Sequence, residues 1–126
     1  MQYNLDIKGE FSDIFKAIQK ILLSYPQMTE VKNAKQTSYA DEYGMVVMMR
    51  TRANVFVVAF GKGSKLQEKF PQLEGSGKIV RHLYFTDIAE LDEKLIRDMI
   101  EESFILGMEA FEIKVLRKMK NKNFDR

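Results

Sequence analysis

The chain contains no cysteine and no tryptophan, two prolines and a single histidine. Without cysteine there is no disulfide, no thiolate metal site and no cysteine nucleophile, and this usage fits a reducing compartment, so a cytoplasmic location is expected. With His82 alone, no histidine pair can form a zinc or iron site within one chain. No run of about 18 apolar residues occurs, and the opening residues Met1 to Asp6 lack the charged-then-apolar order of a signal peptide. Neither membrane spanning nor secretion is therefore expected. An excess of charge of one sign is also missing: the formal net charge is +2 with both signs interspersed. That is too little to predict nucleic-acid binding by phosphate neutralisation.

What is present suits one domain over residues 1–126, since a chain of this length buries about two thirds of the surface its unfolded form exposes. From Phe11 the apolar positions Ile14, Phe15, Ile18, Ile21, Leu22 and Tyr25 recur at three- and four-residue steps. This spacing predicts an amphipathic helix with Ser12 as N-cap and Asp13 against its positive end, stopping near Tyr25 before Pro26. Thr29 to Glu42 reads as one edge strand. Met45 to Met49 and Val55 to Phe60 read as two antiparallel strands joined through Arg50 to Asn54. Both runs are apolar throughout, so both faces of the sheet call for cover, by helices or by another subunit.

Ser64 to Phe70 reads as one or two helical turns ended by Pro71, and Gly75 and Gly77 as a flexible turn. In the strand expected from Ile79 to Phe85, Arg81 falls in the row of Ile79, Leu83 and Phe85, while Val80, His82 and Tyr84 share the other face. A long helix is expected after Thr86-Asp87, with Asp92 as N-cap and Glu93 in its first turn. Its apolar stripe runs from Leu95 and Ile96 through Met99, Ile100, Phe104, Met108 and Phe111 to Val115 and Leu116, with Gly107 a candidate break. The basic tail, about 117–126, is expected to fray. These pieces predict an α+β domain: an antiparallel sheet of about four or five strands with an N-terminal helix and a long C-terminal helix packed on it.

The run Phe60-Gly61-Lys62-Gly63-Ser64-Lys65-Leu66, then Leu73-Glu74-Gly75-Ser76-Gly77-Lys78, Val80-Arg81-His82 and Leu91-Asp92 with Leu95, resembles the YdhG-like family, the domain of unknown function 1801 group. Tyr43-Gly44-Met45 is similar to that family's earlier strand motif, and the resemblance spans about residues 15–106. Two departures stand out. Val46 and Met48 replace a proline and an aromatic common after the Tyr-Gly pair, and the tryptophan often found near that strand is absent. The resemblance implies a small α+β domain, frataxin-like in outline, and some members are described as iron chaperones. Fold transfers through such a likeness better than role does.

Arg81 is the residue whose chemistry most needs an explanation. A buried guanidinium must meet a carboxylate, a set of carbonyls or a bound anion. Glu74, Glu101 and Glu102 are candidate partners in a structural ion pair, and an anion site shared with Lys78 is the alternative. Gly75-Ser76-Gly77-Lys78 lacks the Walker spacing and is followed by a strand, which excludes a phosphate loop. No nucleophile-elbow spacing supports Ser-His-Asp catalysis by Ser64 or Ser76 with His82, so a non-enzymatic role is expected. Asp87, Glu90, Asp92 and Glu93, with Asp98, Glu101 and Glu102 beyond them, could hold iron or another hard cation, although acids at a helix start also complement its dipole. The cations Lys114, Arg117, Lys118, Lys120 and Lys122 are the ordinary complement of a helix C-terminus, and no aromatic platform accompanies them. The methionines are read as adaptable packing, with a dimer face or a pocket lining as further uses.

The leading expectation is a non-catalytic binding domain, with iron handling its most concrete form through the resemblance. The alternatives are a small organic anion held in a pocket of Phe60, Lys78, Arg81 and Tyr84, and a homodimer or larger homo-oligomer assembled through the doubly apolar sheet.

Overall fold

The structure of the protein, a computed structural model, describes the backbone of residues 1–124 and the side chains of residues 1–121. Five strands form one antiparallel meander in chain order: β1 (Thr29–Lys32), β2 (Thr37–Asp41), β3 (Gly44–Arg52), β4 (Val55–Phe60) and β5 (Arg81–Phe85). Helices α1 (Gln2–Lys8) and α2 (Ser12–Leu23) precede the sheet, α3 (Gly63–Leu66) sits between β4 and β5, and α4 (Glu93–Phe124) follows a 3₁₀ turn at Ile88–Glu90. The α+β class expected from the sequence is what the chain adopts.

The periodic stripe of α2 becomes the centre of the core, with Ile14, Phe15, Ile18, Ile21 and Leu22 all buried. They pack on the inward side chains of the sheet, Tyr39, Val47, Met49, Phe56, Val58, Phe60, Leu83 and Phe85, together with Ile96, Met99 and Ile100 of α4. Each such side chain contributes about 1.5–3 kcal/mol on burial. Phe15 and Phe56 meet edge to face at 6.1 Å, which ties α2 to the start of β4.

Several local expectations need correction. Ser12 is the first helical residue rather than the cap, Phe11 takes the cap position without a side-chain bond, and α2 stops at Leu23 with Ser24 closing it. The segment read as one edge strand is a hairpin, β1 and β2, turned at Asn33–Gln36 by the hydrogen bond from Asn33 N to Gln36 O. Arg50 to Arg52 belong to β3, so the β3–β4 loop is Ala53-Asn54 alone, with Ala53 at φ 55°. The strand expected from Ile79 begins at Arg81. Gly107 does not break α4. It is buried where Tyr43 Cβ and Lys62 Cε approach within 3.1 and 3.3 Å of where a Cβ would stand, so a larger residue would crowd the β2–β3 turn. The tail is helical as far as Phe124, and fraying of the last two residues lies outside the described residues.

Helix α1 has no counterpart in the sequence reading. Its only buried residue is Asp6, whose Oδ1 accepts from Thr51 N at 3.0 Å and from Gln2 Nε2 at 2.9 Å. An apolar periodicity cannot reveal a helix anchored by a carboxylate.

The need for cover on both sheet faces is met on one face only. Phe56, Val58 and Phe60 point into the core beneath the helices, whereas Val57 and Ala59 of the same strand face the other way and take no part in that cluster. Val57 and Ala59 are themselves buried, at 7% and 8% exposure, beneath the side chains of their own face, and no helix packs there, so that face forms a trough.

Candidate functional site

Strand register builds the trough. On the face away from the helices, one cross-strand row places Ser38, Met48, Ala59 and His82 side by side, and the next places Arg50, Val57 and Tyr84. Side chains alternate along each strand, so Arg52 joins Arg50 on this face, and the β1–β2 turn carries Lys35 to the rim. Met48, Val57 and Ala59 make an apolar floor, and Asn33 to Gln36 wall one side. Asn33 Nδ2 and Gln36 Nε2 both donate to Ser38 Oγ, at 3.3 and 3.4 Å, which fixes that turn against β2. Opposite stand Val80, His82 and Tyr84. The open hollow has a volume of about 630 Å³, within the range of small-molecule sites.

The electrostatics of this hollow have one sign. Lys35, Arg50 and Arg52 line it, no carboxylate does, and among the described residues none of the three cations has an acidic partner within 4.0 Å. Guanidinium groups without a carboxylate partner present their planar donor forks to whatever enters. Beside them the rings of His82 and Tyr84 are stacked, with centroids 5.8 Å apart and planes at 23°. Tyr84 is 44% exposed, so its ring is available as a platform. His82 Nδ1 is buried without a hydrogen-bond partner, close to where a Cβ on Gly75 would stand, and Glu74 exchanges both backbone hydrogen bonds with His82. Cations, a stacked ring pair and an apolar floor together suit a planar organic anion.

The pocket expected around Phe60, Lys78, Arg81 and Tyr84 does not form. Phe60 and Arg81 are cross-strand partners, but Phe60 is fully buried in the core, Lys78 is exposed in the loop, and Tyr84 is on the opposite face of β5. Arg81 is half-buried at the start of its strand and, among the described residues, pairs with no carboxylate. Its Nε donates to Gln67 Oε1 at 2.9 Å, and one terminal nitrogen donates to the carbonyls of Gly77 and Val80. Arg81 therefore clamps the Gly75–Gly77 turn through carbonyls, while Glu74, Glu101 and Glu102 bond elsewhere or not at all. Gln67, which the sequence reading passed over, completes the clamp by donating its Nε2 to Leu73 O at 2.8 Å.

The motif glycines explain themselves by close approach. A Cβ on Gly61 would stand 2.5 Å from Met45 O, and one on Gly63 would overlap the backbone and Cβ of Arg81. Gly44, at φ 123°, and Gly75, at φ 134°, occupy backbone conformations that L-residues rarely adopt. Tyr43 lies beside α4, its ring 5.4 Å from that of Phe111.

The acids proposed for metal do not converge, and among the described residues no cluster of three or more histidine, cysteine or acidic side chains could hold an ion. Asp87 Oδ1 accepts from Ala89 N at 2.8 Å. Glu90 accepts from the backbone of Thr86 and Asp87, and these donors hold its carboxyl below the ordinary range. Asp92 accepts from Leu95 N at 3.1 Å, and Glu93 pairs with Arg97 Nε at 3.0 Å. Asp87 and Glu90 form the capping box of the 3₁₀ turn, and Asp92 and Glu93 cap and brace the start of α4.

No family model, curated protein or solved structure matches the chain. Among the described residues, no helix is long and apolar enough to cross a membrane.

Proposed function

We propose that the protein is a non-catalytic binding domain for a small organic anion that carries a planar ring, with the trough on the open sheet face as its site. The observation that carries this reading is an acid-free hollow in which Lys35, Arg50 and Arg52 lie without carboxylate partners beside the stacked rings of His82 and Tyr84. In this reading a carboxylate or phosphate group pairs with Arg50 and Arg52, and the ring lies on Tyr84 over Val57 and Ala59. The site moves the anion reading from the Arg81 loop to the other side of β5. The iron reading, which came with the resemblance to the YdhG-like family, finds no convergent donor set to attach to among the described residues.

The test is a titration of isotope-labelled protein with adenosine monophosphate, followed by amide chemical shifts. Saturable shifts confined to β3, β4, β5 and the Asn33–Gln36 turn support the site. Shifts confined to Gly75–Lys78, or none at millimolar ligand, overturn it.

A further inference from the structure

The apolar residues of α4 divide into a buried row and exposed ones, of which Ile105, Ile113 and Leu116 stand apart from the row of Met108, Val115 and Met119. Ile96, Met99, Ile100, Ser103 and Gly107 face the core and are buried. At 100° per residue, Phe104, Met108, Val115 and Met119 lie on a second face, rotated about 110° from the first. This face leaves the domain. Every residue from Phe111 to Asn121 is exposed, including Val115 at 38% and Met119 at 57%, and Met108 is 47% exposed before them. Phe104 at its near end is half-buried against Tyr25, ring centroids 5.4 Å apart, but from Met108 onward three turns of helix project with an apolar seam that none of the described residues buries, and helices draw most of their stability from packing such a face.

The spacing of that seam identifies its occupant. Phe104, Met108, Val115 and Met119 are placed symmetrically about the midpoint between Phe111 and Glu112, so the row reads the same from either end. A seam of this kind is complementary to itself when two copies cross antiparallel on a two-fold axis, with Phe104 opposite Met119 and Met108 opposite Val115. Charge agrees with that direction. Acids precede the midpoint at Glu101, Glu102 and Glu109, and past Glu112, which adjoins the midpoint itself, bases follow at Lys114, Arg117 and Lys118. Antiparallel pairing sets the acidic half of each helix beside the basic half of its partner, whereas parallel pairing would stack like on like.

We propose that the projecting half of α4 is a self-association surface, through which two copies of the chain pair antiparallel. The interface is separate from the trough, so ligand binding and assembly are independently testable.

Light scattering on the full chain at micromolar concentration should give twice the 14.7 kDa chain mass, falling to one chain mass in a Val115→Glu, Met119→Glu variant with an unchanged far-ultraviolet circular dichroism spectrum. Because the chain lacks cysteine, single thiols report direction cleanly. Met108→Cys and Val115→Cys proteins should form a mixed disulfide with each other on oxidation, and little with themselves. A monomeric wild type overturns the proposal, including one that instead binds anionic lipid vesicles through this basic, amphipathic segment. A dimer that cross-links 108 to 108 overturns the antiparallel arrangement, and a dimer unaffected by the double glutamate variant overturns the surface.

Discussion

His82 and Tyr84, two residues apart on β5, stack their rings at 5.8 Å on the one face of the sheet that no helix covers. The pair is positioned from both sides. Glu74 bonds the backbone of His82 on the outer edge, and Ala59 and Val57 of β4 stand opposite the two residues on the inner. The stack therefore belongs to the rigid sheet and not to a loop.

Arg81 is a structural clamp in this account. Arg81→Met removes the bonds to Gln67 Oε1 and to the Gly77 and Val80 carbonyls, and should destabilise the protein by about 1–3 kcal/mol while leaving trough affinity unchanged. Denaturant unfolding and a ligand titration on the same variant separate the two effects. A lost ligand with intact stability would return the site to the Arg81 loop.

Alkaline stability should depend on Tyr39. Its hydroxyl donates to Glu30 Oε2 at 2.7 Å, and burial, followed by the Glu30 carboxylate, pushes the phenol up from its ordinary value. The folded protein thus keeps this proton where the unfolded chain, titrating near pH 10, loses it. The stabilisation is complete below about pH 10 and declines above it, because the unfolded state then binds fewer protons. Tyr39→Phe should lower stability at neutral pH by about 1 kcal/mol and flatten the loss above pH 10. Parallel curves for the two proteins would show that Tyr39 does not carry the effect.

Ala53 holds φ 55° in the two-residue β3–β4 loop, a conformation that glycine adopts without steric cost. Ala53→Gly should stabilise the protein by about 0.5–1 kcal/mol, read as a higher denaturant midpoint at constant slope. A lower midpoint would mean that the entropy lost by glycine exceeds the relief of strain.

The fold was legible where one physical signal dominated. The three- and four-residue spacing from Phe11 to Leu22 marks α2, and the β-branched and aromatic run from Val55 to Phe60 marks β4. The β1–β2 hairpin was hidden because its turn, Asn33-Ala34-Lys35-Gln36, contains neither glycine nor proline. The candidate site was less legible still. Arg50 and Arg52 read as loop residues beside an apolar run, and only the register that sets Arg50 against Val57, and Val57 against Tyr84, gathers them with a ring 34 positions away. One signal was available: Met48, Arg50 and Arg52 share parity in β3, which assigns both arginines to a single face. The motif around Gly75 to Lys78 drew attention to chemistry, yet its glycines and Arg81 serve close packing and a turn.

The measurement that bears most directly on the trough is calorimetric titration with adenosine monophosphate of the wild type and of an Arg50→Gln, Arg52→Gln variant, with inorganic phosphate and adenosine as separate controls. Among the described residues neither arginine has an acidic partner, so the variant should fold normally. The account predicts saturable binding by the wild type that weakens with added salt, weaker binding of either control, and a loss of about tenfold or more in the variant. Equal affinity in wild type and variant, or no saturable heat from the wild type, would contradict it.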